Sequence, residues 1–344
     1  MIPLSVLDLA TVSSGSTPAE ALRDTTRIAV AVERLGYRRL WVAEHHAMAA
    51  VASSAPGVLI AHLANATTTL RLGAGGVMLP NHAPLVIAEQ FATLEALFPG
   101  RIDLGLGRAP GTDHVTARAL RRAGNLQAAT FPQDVVELIK YLVPQDSPPH
   151  PAPTPGAGYL PEVWLLGSST YSAQLAAQLG LPFSFAYHFA PALLDQAVEI
   201  YHSTFRASRF SDLPHLMVAA AVICADDDDQ ARWLSGSNAL NLLQRVRGDA
   251  GPLPSPEEAA HLEMSDAEAV YVADALSTHF VGSPPHVAEG LAGLQARTAA
   301  REILVSTRIH GLSERLRSFE LLAYQWGLVP PGAPSTPQED TRVS

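Results

Sequence analysis

The chain has 344 residues, which is enough for two average domains or for one large α/β barrel. It is 47% hydrophobic and only 16% charged, so it can bury a large core. Its net charge of −10 and the absence of a Lys/Arg cluster argue against a nucleic-acid or anionic-membrane partner and favour small molecules. The single cysteine, Cys224, excludes an internal disulfide and fits the reducing cytoplasm, which is the predicted location. The sequence contains no apolar run of about 18 residues, so it predicts no membrane span. Met1 to Leu7 lacks the basic leader that an export signal would carry.

Apolar, strand-like runs alternate with helix-like segments along the chain. The predicted strands are 4–9, 39–43, 70–79, 101–108, 163–166, 183–187, 216–224 and 302–306. The predicted helices are 18–35, 55–66, 85–98, 113–122, 133–142, 171–179, 191–207, 226–247, 265–280 and 313–326. This alternation predicts the α/β class and a (β/α)8 TIM barrel with loop insertions. A doubly wound open sheet is the alternative, weakened because no Gly-x-Gly-x-x-Gly follows the first strand.

Two insertions and a tail interrupt this pattern. Residues 143–161 contain seven prolines, and a shorter interruption covers 248–264. We expect one barrel domain over 1–329, with the proline-rich insertion either as a lid near the active site or as a plain surface loop. Residues 330–344 are rich in Pro, Gly, Ser and charged residues, and we expect them to be disordered.

Glu44-His45-His46 directly follows the second predicted strand, at the end where barrel active sites lie. A histidine there can accept or donate a proton near neutral pH. The alternative is a pair of polar loop residues satisfied by the backbone or by Glu44, but the position of the adjacent Glu-His-His at a strand end favours function. A metal site is not favoured. Strand one lacks the His-x-His that metal-dependent barrel hydrolases typically carry, and adjacent histidines on an extended backbone point in divergent directions.

The turn after the fifth strand has the composition of an anion site. Gly167 is followed by Ser168, Ser169 and Ser172 at the start of a helix, where free N–H groups, hydroxyls and the helix dipole favour a phosphate. Plain N-capping explains one of these serines equally well. Arg108, at the end of the fourth strand, can add a charge-assisted bond to the same phosphate or pair with Asp113 instead.

Strands three and four both end in glycine, which leaves the backbone open to a flat ligand. Together with the two sites above, these ends form an ordered set of motifs: residues 41–46, 71–80, 100–108 and 167–172. In this order they resemble the luciferase-like flavin-dependent monooxygenases, over nearly the whole chain. The resemblance implies a (β/α)8 barrel that binds reduced flavin mononucleotide (FMN), usually delivered by a separate reductase. It also implies that dioxygen forms a flavin C4a-hydroperoxide, which oxidises a small or medium organic substrate.

The resemblance also implies roles for individual residues. His45 matches the catalytic histidine that assists proton transfer, and Gly75-Gly76 matches a non-prolyl cis peptide beneath the flavin ring. The implied cofactor-binding residues are Gly75, Gly76, Arg108, Gly167, Ser168, Ser169 and Ser172. Gly107 stands where the aldehyde-oxidising luciferase has a reactive cysteine, which argues against light emission.

Three other functions stay open at this point: a deazaflavin-dependent reductase or dehydrogenase on the same barrel, a flavin-binding protein without catalysis, and a metal-dependent hydrolase. The resemblance further predicts a homodimer formed by helices near strands two and three. The apolar residues Ile87, Phe91 and Leu94 of the third helix can serve that interface or cover the barrel.

Overall fold

The computed structural model describes residues 1–109, 111, 114–120, 130–147, 149–188 and 190–328. The strands in this part are β1 Leu4–Asp8, β2 Arg39–Val42, β3 Arg71–Met78, β4 Ile102–Gly107, β5 Glu162–Gly167, β6 Phe183–Ala186, β7 Leu216–Cys224, β8 Phe280–Gly282 and β9 Glu302–Ser306. The α-helices are α1 Pro18–Arg34, α2 Pro56–Ala66, α3 Pro84–Leu97, α4 His114–Leu120, α5 Phe131–Leu142, α6 Thr170–Leu179, α7 Leu194–Thr204, α8 Asp228–Val246, α9 Pro256–Ala260, α10 Asp266–Leu276, α11 Pro284–Thr298 and α12 Leu312–Trp326. Short 3-10 helices cover Leu79–Asn81 and Pro191–Leu193.

The strands close into a parallel barrel. Each of β1 to β6 pairs with the next, β6 pairs with β7, β7 with β9, and β9 with β1. This eight-stranded ring confirms the predicted TIM barrel, and the strand predicted at 302–306 is β9. The remaining strand, β8, pairs with the end of β7 outside the ring.

Several boundaries differ from the sequence prediction. The helix predicted over 265–280 ends at Leu276, because residues 280–282 pair with β7 as β8. The helix predicted over 191–207 starts with a 3-10 turn and ends at Thr204. Helices α9 and α11 were not predicted, and α9 lies inside the shorter insertion. Helix α11 begins at Pro284-Pro285, and prolines are tolerated in the first turn of a helix because the N–H groups there have no intrahelical partner.

The barrel interior is layered. At the N-terminal end, the buried Arg39 guanidinium lies 2.7 Å from Asp103 and 2.8 Å from Glu302. Above it, Trp41 and Trp164 pack edge to face with ring centroids 5.4 Å apart, and they fill the middle of the barrel. These layers fill the lower end of the barrel, so the positions open to a ligand in the described barrel lie toward the C-terminal ends of the strands.

Outside the barrel, helix α3 turns Ile87, Phe91 and Leu94 inward, where each is at most 3% exposed. Of the two roles open to these residues, the structure therefore shows that they cover the barrel. The outward apolar side chains of this region are Val58 on α2 and Val86 and Leu97 on α3.

The proline-rich insertion 143–161 contains neither helix nor strand among its described residues, in keeping with its composition. Its peptide bonds before Pro151 and Pro155 are cis. Residues 330–344, predicted to be a disordered tail, and residues 112, 113, 121 and 122 of the predicted fourth helix lie outside the described part. Among the described helices, none is long and apolar enough to cross a membrane.

Candidate active site

His45 follows β2 at the C-terminal mouth of the barrel. Its backbone N–H donates to the Ser53 carbonyl at 3.0 Å, and its ring Nδ1 lies 3.2 Å from the Gly111 carbonyl oxygen. A carbonyl oxygen can only accept, so this contact places the proton on Nδ1 and leaves Nε2 as the acceptor. Burial lowers the pKa of His45 and outweighs the opposing effect of the Gly111 hydrogen bond. His45 is therefore a neutral imidazole at neutral pH.

Glu44, next to His45, is fully buried and ties the end of β2 to the segment after β3. Its carboxylate accepts from His82 Nε2 at 2.8 Å, from His46 Nε2 at 3.0 Å and from the Met78 backbone N–H at 3.0 Å. Burial raises the pKa of Glu44, but the His82 hydrogen bond and charge, together with the His46 and Met78 bonds, lower it overall. Sequence reasoning singled out Glu44 and His46 but missed His82, which only the turn after β3 brings close.

The Gly75-Gly76 peptide bond is cis, as the resemblance implies, and the β3–β4 register shifts between Gly75 and Val77. Neither glycine has room for a side chain. A Cβ on Gly76 would lie 2.7 Å from the Gly105 carbonyl oxygen, and one on Gly75 would lie 2.9 Å from Leu7 Cδ1. The pair is therefore fixed as glycine by close packing of the strand ends.

The turn between β5 and α6 carries the predicted anion site. Ser169 occupies the N-cap position of α6, but its side chain makes no capping hydrogen bond. Ser168 and Ser169 are half-buried, and Ser172 is buried. Ser172 packs directly against Gly167, because a Cβ added to Gly167 would lie 2.4 Å or less from the Cβ and Oγ of Ser172. Within the described residues, the Ser169 side chain therefore leaves the first N–H groups of α6 uncapped and available to a ligand.

Arg108 lies beside this turn. Its guanidinium carbon is 4.5 Å from the centroid of the Tyr171 ring, which belongs to the first turn of α6. The structure thus brings Arg108 and the serine turn together, as the phosphate interpretation requires. Asp113, the alternative partner of Arg108, lies outside the described residues.

Three residues at the mouth had no signal in the sequence beyond their places at strand ends or in a loop: His188, His279 and Arg308. His188 Nδ1 lies 3.2 Å from the Ala219 carbonyl oxygen, and burial lowers its pKa to about 4. Burial also lowers the pKa of His279, against a hydrogen bond with the His188 backbone. The positive charge of Arg308 further lowers the pKa of His45, His188 and His279.

Two other chemistries were considered for this end of the barrel. Within the described ranges, no group of three or more His, Cys, Asp or Glu side chains is arranged to hold a metal ion. Cys224 is buried in β7, and burial raises the pKa of its thiol to about 12, so the thiolate required of a nucleophile is disfavoured.

The described chain forms a closed parallel barrel, with a histidine, a pair of glycines and a helix N-terminus at the C-terminal mouth. This arrangement is typical of TIM-barrel enzymes. The family of luciferase-like monooxygenases matches residues 2–301, and the chain belongs to that family. An Escherichia coli (strain K12) protein named luciferase-like monooxygenase is 49% identical over 320 residues, which cover 93% of this chain and 96% of that protein. The Bacillus subtilis (strain 168) N-acetyl-S-alkylcysteine monooxygenase is 33% identical, over 94% of this chain and 98% of that protein.

Solved structures resemble nearly the whole chain. Apo-MsnO8 superposes with a TM-score of 0.90 at 35% identity, covering 96% of this chain and 100% of its own. More distant structures share the fold alone. The oxygenating constituent of a Pseudomonas putida 3,6-diketocamphane monooxygenase, solved with FMN, has a TM-score of 0.69 at 19% identity and covers 94% of this chain and 97% of its own. An F420-dependent secondary alcohol dehydrogenase has a TM-score of 0.66 at 12% identity and covers 94% and 98%.

Proposed function

We propose that this chain is a flavin-dependent monooxygenase that uses reduced FMN and dioxygen to oxidise a small or medium organic substrate. The observation that carries the proposal is the joint occurrence, at one barrel mouth, of the side-chain-free backbone at Gly75-Gly76 and the N-terminus of α6 beside Arg108, whose N-cap serine makes no capping hydrogen bond. A flat ring with a phosphate arm fits such a pair of features.

The residues present fit this cofactor. Ser168, Ser169 and the N-terminus of α6 would hold the phosphate, with a charge-assisted bond from Arg108. The side-chain-free Gly75-Gly76 would lie beneath the flavin ring, and Gly167 and Ser172 would shape the turn. When bound, reduced flavin supplies the two electrons needed to activate dioxygen.

The protein supplies the proton handling. His45 is neutral, its Nδ1–H is engaged by the Gly111 carbonyl, and its Nε2 can accept a proton or pass one on at the reacting position. The Glu44 bonds to His82 and to the Met78 N–H hold the ends of β2 and β3 together, so they orient His45 relative to Gly75-Gly76. Glu44 is therefore assigned a positioning role.

FMN is preferred over a deazaflavin because the more similar relatives carry monooxygenase names, at 33% to 49% identity, whereas the deazaflavin-dependent structure is only 12% identical. We further propose a separate flavin reductase as the source of reduced FMN and a homodimer that uses the outward face of α2 and α3. The proline-rich insertion 143–161 is proposed as a lid over this mouth.

Incorporation of labelled oxygen into a product tests the proposed monooxygenase reaction. The purified protein, supplied with reduced FMN by an added reductase, is incubated under ¹⁸O₂ with a panel of thioethers, ketones and aldehydes, and products are analysed by mass spectrometry. We expect one labelled oxygen atom in the product of at least one panel member. Turnover with reduced deazaflavin under nitrogen, without labelled product from any panel member under ¹⁸O₂, would instead establish a reductase or dehydrogenase.

A further inference from the structure

The guanidinium of Arg308 lies at the barrel mouth, and none of its described partners neutralises its positive charge. It follows β9 by two residues and is held from α8: its Nη2 donates to Asn241 Oδ1 at 3.1 Å, and its carbonyl accepts from Asn238 Nδ2 at 3.0 Å. Its Nε is shielded from water and has no hydrogen-bond partner in the described part of the chain. Both amides are neutral, so they orient the side chain without balancing the charge.

Arg308 is half-buried, whereas the arginines that are buried in the described barrel are both paired. Arg39 contacts Asp103 and Glu302, and Arg315 pairs with Asp8. Arg308 forms no ion pair with any described carboxylate; instead, burial and then repulsion from Arg245 and Arg315 lower its pKa to about 10. It is still charged at neutral pH. A shielded donor and charge without a counter-ion is unfavourable, which points to a counter-ion supplied by a ligand.

The surroundings of Arg308 place that ligand in the active site. Its charge acts on His45, His188 and His279, which are all neutral at pH 7 because burial lowers their pKa values. The carboxylate nearest to His45 in sequence, Glu44, is already engaged by His82 and His46. Asp8 is engaged by Arg315. An anion that enters this mouth therefore meets the positive charge of Arg308 beside the neutral imidazole of His45.

We propose that Arg308 binds an anionic group of the substrate, and that this monooxygenase therefore acts on organic acids, chiefly carboxylates. The inference rests on the proposed function for its reaction but not for its binding site. The Nε–H and a second guanidinium N–H match the two oxygens of a carboxylate. Such a bond would fix the substrate by its acid end and leave its other end for oxidation near His45.

The experiment compares acids with their uncharged esters. Hexanoate, benzoate and 3-(methylthio)propanoate, each with its methyl ester, are titrated calorimetrically into the purified protein and into Arg308→Gln, Arg308→Lys and the exposed control Arg206→Gln. We expect at least one acid to bind wild type more tightly than its ester, and Arg308→Gln to weaken that acid about tenfold or more. The affinity of the esters, and all affinities of the Arg206→Gln variant, should change little, and Arg308→Lys should retain part of the preference for acids.

Three results would overturn the proposal. They are no preference of wild type for any acid over its ester, an equal loss for acids and esters in Arg308→Gln, and a loss of reduced FMN affinity in Arg308→Gln as large as the loss for acids. The last result would assign the guanidinium to the flavin. If Arg308→Gln does not fold, a partial loss of the acid preference in Arg308→Lys, at the thermal midpoint of wild type, supports the proposal, and an unchanged preference contradicts it. Because binding is measured without turnover, failure of the monooxygenase reaction would not be mistaken for failure of this site.

Discussion

At the scale of single residues, the chemistry depends on a histidine that burial keeps neutral. His45 →Ala removes the only side chain assigned to proton transfer, while the phosphate and ring contacts of the flavin stay in place. We expect the rate of substrate oxidation to fall about 10²- to 10⁴-fold and the affinity for reduced FMN to change less than about threefold. His62→Ala, on the exposed face of α2, is the control and should leave both unchanged. Unchanged turnover in His45→Ala would instead favour a flavin-binding protein without catalysis.

The same residue predicts a pH dependence. Because burial lowers the pKa of His45 below its ordinary value of 6.5, the neutral form persists to more acidic pH. We expect the acidic limb of the rate profile to fall below pH 6.5, and to disappear in His45→Ala. A limb centred above pH 6.5 would show that a different group controls the reaction.

At the scale of elements, a substitution at the N-terminus of α6 distinguishes helix capping from phosphate binding. Ser169→Asp places a carboxylate at an N-cap whose serine makes no capping bond, so the free protein should gain about 0.5–1 kcal/mol of unfolding free energy. The same charge repels a phosphate, and we expect reduced FMN to bind about tenfold more weakly or worse. The measurements are urea denaturation of the free protein and anaerobic FMN titration.

Two variants serve as controls for the Ser169→Asp experiment. Ser169→Ala removes the hydroxyl without adding charge, and Ser203→Asp adds the charge at an exposed position of α7. Neither should reproduce the loss of affinity. Equal FMN affinity in Ser169→Asp and wild type would remove α6 from the phosphate site.

The ion-pair layer at the closed end of the barrel is a second element with a distinct role. Burial lowers the pKa of Arg39, but Asp103 and Glu302 raise it overall. Arg39→Met would leave these buried carboxylates without their central counter-charge and cost about 3–5 kcal/mol of unfolding free energy, measured by urea denaturation. Arg232→Met, which breaks an exposed pair with Asp229, should cost less than about 1 kcal/mol.

This layer also predicts how stability depends on pH. Burial raises the pKa of Glu302, but His215, Arg39 and Ser5 outweigh it and hold the pKa at about 2. The unfolded chain therefore binds a proton at Glu302 before the folded one does, so this contribution is complete above pH 4.5 and is lost as pH falls toward 2. In Arg39→Met the slope of stability against pH over that window should flatten.

At the scale of the whole molecule, the order of strands and helices was predictable because the apolar runs of a buried parallel barrel are continuous and separated by helical periodicity. The errors fall where local pattern and tertiary context disagree. Three residues, 280–282, form a strand only because β7 is there to pair with them. Helix α11 was missed because its two leading prolines are typical of a loop until their place in a first turn is known.

The site was predictable only in part, for a related reason. His45, Gly75-Gly76, Arg108 and the serine turn belong to short contiguous motifs that a sequence displays. His82 and Arg308 carry no such motif. Their roles arise from contacts across the barrel mouth, to Glu44 and to Asn241, that single-sequence patterns do not encode.

The proposed function requires that the mouth of this barrel bind reduced FMN through Arg108. The most direct measurement is an anaerobic titration of wild type, Arg108→Ala and the exposed control Arg206→Ala with reduced FMN and reduced deazaflavin. We expect wild type to bind reduced FMN more tightly than reduced deazaflavin, Arg108→Ala to bind reduced FMN about tenfold more weakly or worse, and Arg206→Ala to bind it as wild type does. Binding of neither flavin, or FMN binding that does not depend on Arg108, would contradict it.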